Sequence, residues 1–444
     1  RNIGIVDQFA LTMRRSISYH VERRAAKKPE ATHSVLRLRD DQSIAYRALA
    51  EEPRGILNGP TGWGKSVVLV ALALADLRRD PRRKIVVVIP QNIISKGFIT
   101  HLDLELSDER RQQWRVGLDL CARTTDKVSK LQAFLRSPPA ADTADRVVVT
   151  THMSFTEAFR SFEPAEAVQA FRHTTLIIDE AHHVQASDAG FNRLGDAVNR
   201  LLESGDHSVR LLLATAYFFR GDRLPILHEK HLDQFHWHHV ALDTYWSRLR
   251  FLKSYRYDFV AYKGTVWHEL ESLLKQNQEP TIIYCPPEGH RLHLGKPKSR
   301  FIQRAIALVR RHYHGATVWR RGMKSHGQRV VVNLADPADR HEKIRYIMNH
   351  GTNVAVVLTV GMFREGADWV NASRAIDLIP SGSDQDRNQR FGRLIRDCPG
   401  KAQVSYFSFV PHITDGPADQ QRQQLTKLFA HFHATLVLMN AIWR

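Results

Sequence analysis

The chain has 444 residues, of which 43% are hydrophobic, and it carries a formal net charge of +18 at pH 7. This length exceeds what one hydrophobic core usually serves, so we expect two domains of ordinary size with additional segments. No apolar run reaches the roughly 18 residues of a membrane-spanning helix, which favours a soluble protein. The charge and a pI near 10.0 favour a polyanionic partner, either nucleic acid or an anionic membrane surface.

The three cysteines, Cys121, Cys285 and Cys398, are few, far apart and odd in number. This pattern argues against a disulfide framework and favours a reducing compartment, so we expect a cytoplasmic protein. No C-x-x-C pair occurs, and a zinc site built on cysteines is therefore not expected.

Residues 1–35 form a basic N-terminal extension, and residues 1–40 contain nine Lys or Arg against four Asp or Glu. Three interpretations are a transit peptide, a helical basic arm that contacts nucleic acid or another subunit, and a solvated helix face. Asp7, Glu22 and Glu30 argue against a transit peptide, which is typically poor in acids. Because the chain begins with Arg1 rather than Met, we expect the numbering to start within a longer protein or after processing.

From Ser34 onward, short β-rich runs alternate with helical segments, which predicts parallel sheets covered on both faces. The expected strands are 84–90, 146–151, 175–180 and 209–214 in a first series, and 280–285, 330–332, 354–359, 375–379 and 402–409 in a second. Each strand of the first series ends in polar residues, at the sheet edge where α/β proteins bind ligands.

The two series predict two α/β domains in tandem, over residues 36–245 and 246–415. The tail, residues 416–444, is predicted to be one amphipathic helix, with Leu425, Leu428, Phe429 and Phe432 at helical spacing. Its expected role is packing against a domain face, and binding of a partner is the alternative.

Residues 59–66 read GPTGWGKS and fit G-x-x-x-x-G-K-[ST], the phosphate-binding P-loop. Its glycines let successive backbone N–H groups turn toward a polyphosphate, and the apolar helix that follows adds a favourable dipole. Lys65 is expected to reach the β- and γ-phosphates, and the Ser66 hydroxyl to bind Mg²⁺. The nucleotide-binding residues predicted here are Gly59, Thr61, Gly62, Gly64, Lys65 and Ser66.

A second acidic motif, Asp179-Glu180-Ala181-His182, follows the apolar run 176–178. A carboxylate at a strand end beside a P-loop suits Mg²⁺, and Asp179 can hold the metal through its water shell. The adjacent Glu180 can orient or deprotonate the water that attacks the γ-phosphate. The alternative is an acidic loop that merely follows a core strand.

The order of the P-loop, DEAH, Ala214-Thr215-Ala216 and a second α/β half resembles superfamily 2 helicases and translocases over residues 36–412. A second histidine after DEAH, His183, resembles the restriction-enzyme and repair-type branch. The resemblance implies two tandem RecA-like parallel-sheet domains with helical N- and C-terminal extensions. It also implies ATP and Mg²⁺ as cofactors and nucleic acid as the partner.

Within this resemblance, Arg39 to Gln42 match the R-x-x-Q element that reads adenine, which implies nucleotide binding by Arg39 and Gln42. Residues 359–368 (TVGMFREGAD) resemble the motif that links ATP and nucleic acid. That motif implies nucleotide binding by Gly366 and Asp368 and nucleic-acid binding by Thr359. Two strand-end loops of the first half imply contacts to the nucleic-acid backbone from Pro90 and Thr151.

Residues 389–396 (QRFGRLIR) resemble Q-R-x-G-R-x-x-R, which implies arginine fingers at Arg393 and Arg396. Guanidinium groups suit γ-phosphate oxygens, and these two lie in the other half of the chain from the P-loop. Hydrolysis would then depend on closure of the two halves around ATP, with His182 and Gln389 relaying the state of the γ-phosphate. After residue 216 the family usually has Pro and this chain has Tyr217, so strand separation stays open.

The basic excess is concentrated in residues 286–330, which contain eleven Lys or Arg and one acid, Glu288. We interpret the segment as a phosphate-binding face, with Tyr313 and Trp319 as stacking surfaces. A solvated basic face is the alternative. The arginines expected to bind nucleic acid are Arg300, Arg304, Arg320 and Arg321.

The sequence therefore predicts an ATP-dependent helicase or translocase that acts on nucleic acid, DNA rather than RNA, and not on a membrane. One alternative is the motor subunit of a restriction, defence or remodelling complex, which translocates without separating strands. A protein partner would then supply nuclease activity or specificity. A nucleotide-binding scaffold without turnover is disfavoured by Glu180, Arg393 and Arg396.

Overall fold

The computed structural model describes most of the chain between residues 16 and 411. The described residues are 16–22, 35–90, 96–105, 111–121, 125–184, 186–187, 190–191, 193–206, 208–216, 227, 229–262, 264–276, 278–293, 297–324, 327–360, 369–379 and 390–411, with 423 and 426. They fall into two compact units that divide between Tyr245 and Trp246. The N-terminal unit lies within residues 29–245, and the C-terminal unit combines residues 16–22 with the described residues that follow 245.

The N-terminal unit is an α/β domain. The first strand of the chain, β1 (Ser16–Glu22), belongs to the C-terminal unit instead. The strands of the N-terminal unit are β2 (Leu36–Arg37), β3 (Arg54–Asn58), β4 (Lys84–Ile89), β5 (Leu102–Glu105), β6 (Arg111–Trp114), β7 (Leu118–Asp119), β8 (Val147–Thr151), β9 (Thr174–Ile178), β10 (Ala186–Ser187), β11 (Gly190–Phe191), β12 (Arg210–Thr215) and β13 (His236–His239). Its helices are α1 (Asp40–Leu49), α2 (Lys65–Arg79), α3 (Lys96–Ile99), α4 (Lys127–Arg136), α5 (His152–Arg160), α6 (Pro164–Ala170), α7 (Arg193–Glu203), α8 (Glu229–Leu232) and α9 (Leu242–Trp246).

The main sheet of this unit has the order β13-β3-β12-β9-β4-β8-β7 and is parallel throughout. The same unit contains a smaller, three-stranded sheet with the order β2-β5-β6. Apolar β-branched runs such as β4 are buried along their whole length, as expected when helices cover both faces of a parallel sheet. All carboxyl ends of the main sheet lie at one edge, which brings the loops after β3, β8, β9 and β12 together.

Helix α2, which follows the P-loop, is fixed across two strands by one buried carboxylate. Asp76 accepts a hydrogen bond from the Thr175 hydroxyl of β9 at 2.6 Å and forms an ion pair with Arg210 of β12. Because α2 begins at Lys65, this anchor at its far end sets where the phosphate-binding loop lies.

The C-terminal unit is a second α/β domain. Its strands after β1 are β14 (Ser254–Tyr262), β15 (Thr281–Tyr284), β16 (Thr317–Val318), β17 (Val330–Asn333), β18 (Val354–Thr359), β19 (Arg374–Asp377) and β20 (Gln403–Pro411). Its helices are α10 (Trp267–Gln276), α11 (Lys298–His312) and α12 (Arg340–Asn349), and residues 390–394 are also helical. The sheet order is β1-β14-β20-β19-β15-β18-β17-β16, parallel except for the antiparallel β1.

The tandem α/β architecture confirms the predicted fold class, but the N-terminal extension is not helical where the structure describes it. Residues 16–22 form β1, which pairs with β14 from Ser16 opposite Val260 to Glu22 opposite Ser254. The prediction was wrong because the basic composition hid a period-two pattern, in which Ile17, Tyr19 and Val21 alternate with polar residues. The predicted C-terminal helix, residues 416–444, lies outside the described residues except for 423 and 426, and it stays a prediction.

The three cysteines are free and buried, so no disulfide joins them. Burial raises the pKa of the Cys121 and Cys285 thiols to about 12. Thiolates are therefore scarce at these two positions at neutral pH, which gives them the chemistry of core residues. Among the helices of the described residues, none is both long and apolar enough to cross a bilayer.

Candidate active site

The P-loop connects β3 to α2 at the carboxyl edge of the main sheet. Gly62 and Gly64 have φ angles of 87° and 100°, in the left-handed region that favours glycine. A Cβ atom on Gly64 would lie 2.5 Å from Nε2 of Gln42, so a larger residue here would displace that amide as well as strain the backbone. The Gly59 N–H donates to the Thr215 carbonyl at 3.0 Å, which ties the loop to the end of β12.

Lys65 is buried at the first position of α2. Its ammonium donates to the Gly59 carbonyl at 2.8 Å and lies 3.4 Å from the Pro60 carbonyl, both in the loop itself. Burial and the charge of Glu180 raise the pKa of Asp179, and the positive charge of Lys65 partly offsets this rise. Phosphate oxygens bind an ammonium more strongly than neutral carbonyls do, so Lys65 can exchange these contacts for a polyphosphate.

The R-x-x-Q element contacts the P-loop backbone. The Arg39 guanidinium donates to the Trp63 carbonyl, and Nε2 of Gln42 lies 3.4 Å from the carbonyls of Trp63 and Gly64. The sequence predicted nucleotide binding for Arg39 and Gln42, and the structure adds this second role of supporting the loop. Burial lowers the pKa of Arg39, although the nearby Tyr245 partly offsets this.

Trp63, inside the P-loop, and Asp41 support the candidate site and were not among the predicted site residues. The Trp63 side chain is fully buried, and its indole N–H donates to the Asp41 carboxylate of α1. The sequence did contain a signal for this contact, namely a tryptophan at a P-loop position where any residue is allowed. A buried indole N–H usually has an acceptor, so a nearby polar partner could have been expected.

The DEAH residues follow β9 at the same edge of the sheet. The Asp179 N–H donates to the Val88 carbonyl at 2.9 Å, so the position of Asp179 is fixed by β4. Burial, and then the charge of Glu180, raise the pKa of Asp179 to about 7. A buried carboxylate with this excess of negative charge suits a divalent cation, so the residues fit the predicted Mg²⁺.

Glu180 and His182 complete the N-terminal part of the site. Nδ1 of His182 lies 3.3 Å from Oε2 of Glu180 and 3.3 Å from Oγ1 of Thr215. This contact joins the DEAH residues to the end of β12, which also holds the P-loop through Gly59. The structure therefore brings Lys65, Asp179, Glu180 and His182 to one edge of one sheet, as the sequence predicted.

The C-terminal unit contains Arg393 and Arg396, of which Arg393 is buried and Arg396 half-buried. The segment before them is anchored by Arg390, which pairs with Asp377 at 2.7 Å and stacks over the Tyr284 ring at 4.7 Å. The Tyr406 hydroxyl donates to the same carboxylate at 2.7 Å. Three other predicted residues, Gly366, Asp368 and Gln389, lie outside the described residues and stay predictions.

Asp377 is another residue that the sequence analysis missed. It is fully buried, and burial raises its pKa, partly offset by the positive charge of Arg390. We expect Asp377→Asn to lower the free energy of unfolding by about 3–5 kcal/mol, because it removes the charge that balances a buried guanidinium. Tyr406→Phe, which removes one hydrogen bond to the same carboxylate, should cost only about 1–2 kcal/mol. Urea unfolding of both variants checks this, and equal losses would contradict it.

Of the residues predicted to contact nucleic acid, two are engaged in the fold. The Thr151 hydroxyl accepts from the Ser154 N–H at 3.2 Å and caps α5. Thr359 is fully buried at the end of β18, so its side chain is not presented on a surface. Pro90 is half-buried after β4.

The predicted stacking role of Tyr313 and Trp319 is wrong. Tyr313 is fully buried, its hydroxyl donates to the Glu279 carbonyl at 2.9 Å, and the Arg329 guanidinium lies 5.2 Å from its ring centroid. Trp319 is 8% exposed and packs near Tyr346, at 6.5 Å between ring centroids. Both aromatic rings are buried, so neither presents a face on which a base could stack.

The basic segment does present exposed arginines. Arg300 and Arg304 lie four residues apart on α11, on one exposed face, and Arg320 is exposed beyond it. Among the described residues, no carboxylate lies within 4.0 Å of these three. Arg321 differs, since it lies 3.4 Å from Glu342 and is partly neutralised.

Residues 35–219 match the family model described as "Type III restriction enzyme, res subunit". The chain is 24% identical over 375 residues to the "Putative ATP-dependent helicase YeeB" of Bacillus subtilis (strain 168), which covers 80% of this chain and 58% of that protein. The chain thus spans little more than half the length of this relative.

Three solved structures share the fold. The DUF1998 helicase MrfA, bound to DNA and AMPPNP, matches with a TM-score of 0.58 and 15% identity over 93% of this chain and 55% of its own. The Type ISP restriction-modification enzyme LlaBIII, bound to DNA, has a TM-score of 0.56 and 14% identity over 93% of this chain and 30% of its own. Dbp5 of S. cerevisiae, bound to RNA, has a TM-score of 0.50 and 13% identity over 88% of this chain and 86% of its own.

Each comparison points the same way as the arrangement of the site. In sequence, the chain is similar over part of its length to a restriction-enzyme res subunit and to a protein named as a putative ATP-dependent helicase. In structure, it shares the tandem RecA-like fold of the solved helicase MrfA and of the restriction-modification enzyme LlaBIII.

Proposed function

We propose that this protein is an ATP-dependent helicase or translocase that acts on DNA. The observation that carries the proposal is the convergence of Lys65, Asp179, Glu180 and His182 at one sheet edge. Lys65 would hold the β- and γ-phosphates, and Glu180 would orient the attacking water and accept its proton. Ser66 and Asp179 would hold Mg²⁺, which neutralises charge on the phosphates.

Arg393 and Arg396 would complete the site by stabilising charge on the transferred phosphoryl group. They belong to the C-terminal unit, whereas Lys65 and Glu180 belong to the N-terminal unit. Hydrolysis would therefore need both units around one nucleotide, and nucleic acid bound to both could promote that state. This dependence is how a motor of this kind couples ATP to movement.

The choice of DNA rests on similarity and charge. The solved structures with the higher TM-scores, MrfA and LlaBIII, are bound to DNA, and Dbp5 is bound to RNA. The net charge of +18 and the exposed arginines of α11 suit either polyanion. DNA is therefore the proposed substrate, and RNA is the competitor in the test.

The second candidate function is the motor subunit of a restriction, defence or remodelling complex that moves on duplex DNA without separating strands. Two similarities favour it, namely the restriction-subunit family model and the Type ISP enzyme. A protein partner or a further segment would then supply nuclease activity or specificity.

ATP hydrolysis measured with single-stranded DNA, duplex DNA, RNA and no nucleic acid tests both candidates. We expect stimulation by DNA above the level that RNA gives. A tailed duplex then reports strand separation, since displacement supports a helicase and stimulation without displacement supports the translocating subunit. Equal hydrolysis with and without every nucleic acid would refute both.

The exposed arginines give a further prediction. The triple variant Arg300→Ala, Arg304→Ala, Arg320→Ala should weaken DNA binding and lower the slope of log K against log salt by about 2–3, since each phosphate contact contributes about 0.9. Arg311→Ala is the matched control, because Arg311 lies on the same helix but pairs with Glu271 at 3.3 Å. Fluorescence anisotropy over a salt series measures the slope, and a slope equal to that of the unmodified protein would contradict the assignment.

A further inference from the structure

Two histidines near the candidate active site, His152 and His183, have no role in the function proposed above. His152 is the first residue of α5 and is half-buried. Its Nε2 lies 3.0 Å from the Asp179 carbonyl. Because a carbonyl oxygen only accepts, the imidazole N–H must donate in this contact.

The contact falls on the peptide group between Asp179 and Glu180, and that group is held at both ends. Its carbonyl accepts from His152, and its N–H donates to Oδ1 of Asp179 at 3.0 Å. Rotation of this peptide would break both contacts and would change the φ angle of Glu180.

Glu180 is held in an uncommon conformation. Its φ and ψ angles are 51° and 49°, in the left-handed region that side chains other than glycine rarely occupy. Such a conformation persists only where surrounding contacts impose it, and it often occurs at functional sites. The hydrogen bond from His152 is one of the contacts that hold the peptide just before it.

His183 lies between His152 and His182 and contacts the rings of both. Its ring lies 5.5 Å from the His152 ring, edge to face, and 4.3 Å from the His182 ring, between centroids. His182 in turn contacts Glu180 and Thr215. Three imidazole rings therefore form a continuous path from the start of α5 to Glu180 and the end of β12.

The start of α5 also presents an exposed apolar side chain. Met153, next to His152, is 68% exposed, although it is a large apolar side chain. It lies in the first turn of α5, two residues after Thr151, for which the sequence predicts contact with nucleic acid. A nucleic acid bound at this helix start would lie directly beside the histidine that holds the Asp179–Glu180 peptide.

We propose that His152 and His183 are positioning residues that couple nucleic-acid binding at the start of α5 to the conformation of the Asp179–Glu180 peptide. The inference rests on the proposed function, since it names how DNA regulates that same site. The two states would differ in the rotation of this peptide, with Glu180 left-handed in one and in an ordinary helical or extended conformation in the other. DNA would shift the balance toward the state that orients water.

The test compares ATP turnover with saturating DNA to turnover without DNA, and measures DNA affinity separately by anisotropy. We expect His152→Ala and His183→Ala to lower the stimulation ratio by about 3- to 30-fold, the range by which mutations along a coupling path change coupling. DNA affinity should change by less than the ratio does. His152→Gln, which keeps a donor for the carbonyl, and His183→Phe, which keeps the ring, should restore most of the ratio.

His173→Asn is the control, because His173 is also a partly buried histidine of the same unit, and its Nδ1 lies 3.1 Å from the Asp80 carboxylate. It lies just before β9, at the opposite edge of the same sheet, and its φ of 54° is one that asparagine tolerates. Its ratio should equal that of the unmodified protein.

An unchanged ratio in both alanine variants would overturn the inference. So would a loss of DNA affinity large enough to explain the lower ratio, or failure of both conservative variants to restore it. A ratio of one in the unmodified protein would instead refute the proposed function, and the inference with it. The two failures are therefore distinguishable in one experiment.

Discussion

Replacing Glu180 by Gln should lower ATP turnover by roughly 10²–10⁴-fold, the usual contribution of a general base. The amide keeps the size and hydrogen-bonding capacity of the side chain but cannot accept the proton of the attacking water. ATP binding should be retained, because the P-loop contacts and Asp179 are unchanged. Steady-state hydrolysis and binding of a fluorescent ATP analogue measure the two effects separately.

Glu157→Gln is the control for this substitution, because Glu157 is an exposed carboxylate on α5 of the same unit. It should hydrolyse ATP like the unmodified protein. If Glu180→Gln kept more than about a tenth of the turnover, Glu180 would not be the base.

Replacing Arg393 or Arg396 by Ala should lower ATP turnover by about 10³-fold or more, as for other arginine fingers. ATP affinity should fall far less, since most phosphate contacts come from the N-terminal unit. Arg→Lys at either position should not restore turnover, because an ammonium cannot reproduce the planar, bidentate fork of a guanidinium. Rapid-quench hydrolysis at saturating ATP provides the measurement.

Arg393 is buried, so its loss could also destabilise the C-terminal unit. Thermal unfolding of each variant separates the two effects, and Arg396, which is half-buried, offers the cleaner test. Arg345→Ala, an exposed arginine on α12, is the control for loss of charge in the same unit. Turnover within about tenfold of the unmodified protein in both Arg393→Ala and Arg396→Ala would exclude the finger role.

The Trp63 contact explains why the P-loop is tied to α1. Asp41 accepts from the indole, while Arg39 and Gln42 contact the carbonyls of residues 63 and 64. The first turn of α1 and its N-cap residue therefore support the loop through three side chains. An element predicted to read the base of the nucleotide is thus also part of what shapes its phosphate site.

The nucleotide site could be predicted from the sequence because its chemistry is local. Eight consecutive residues make the P-loop, and four make the DEAH segment, so their spacing along the chain already states what they can bind. The tandem α/β fold was also predictable, because fully buried parallel strands are continuous apolar runs. No contact between distant residues was needed for either conclusion.

Contacts between residues far apart in the chain could not be predicted from the sequence. Strand β1 pairs with β14 across more than two hundred residues, and its basic neighbours suggested a helix instead. Whether Tyr313 and Trp319 are stacking surfaces or core depends on which face of the sheet they meet, and a basic composition does not report that. Burial is a property of the packed unit, so only the tertiary structure decided these points.

The sequence by itself predicted a phosphate-binding loop at residues 59–66 and a pair of acids at 179–180, within two α/β domains. The tertiary structure alone showed which side chains hold those acids in place. His152, twenty-seven residues before Asp179, donates to its carbonyl, and His183 joins the rings around it. A hydrogen bond depends on the distance between two atoms in space. The order of residues does not give that distance for residues far apart in the chain, because it is set only when the strands pair and their ends align.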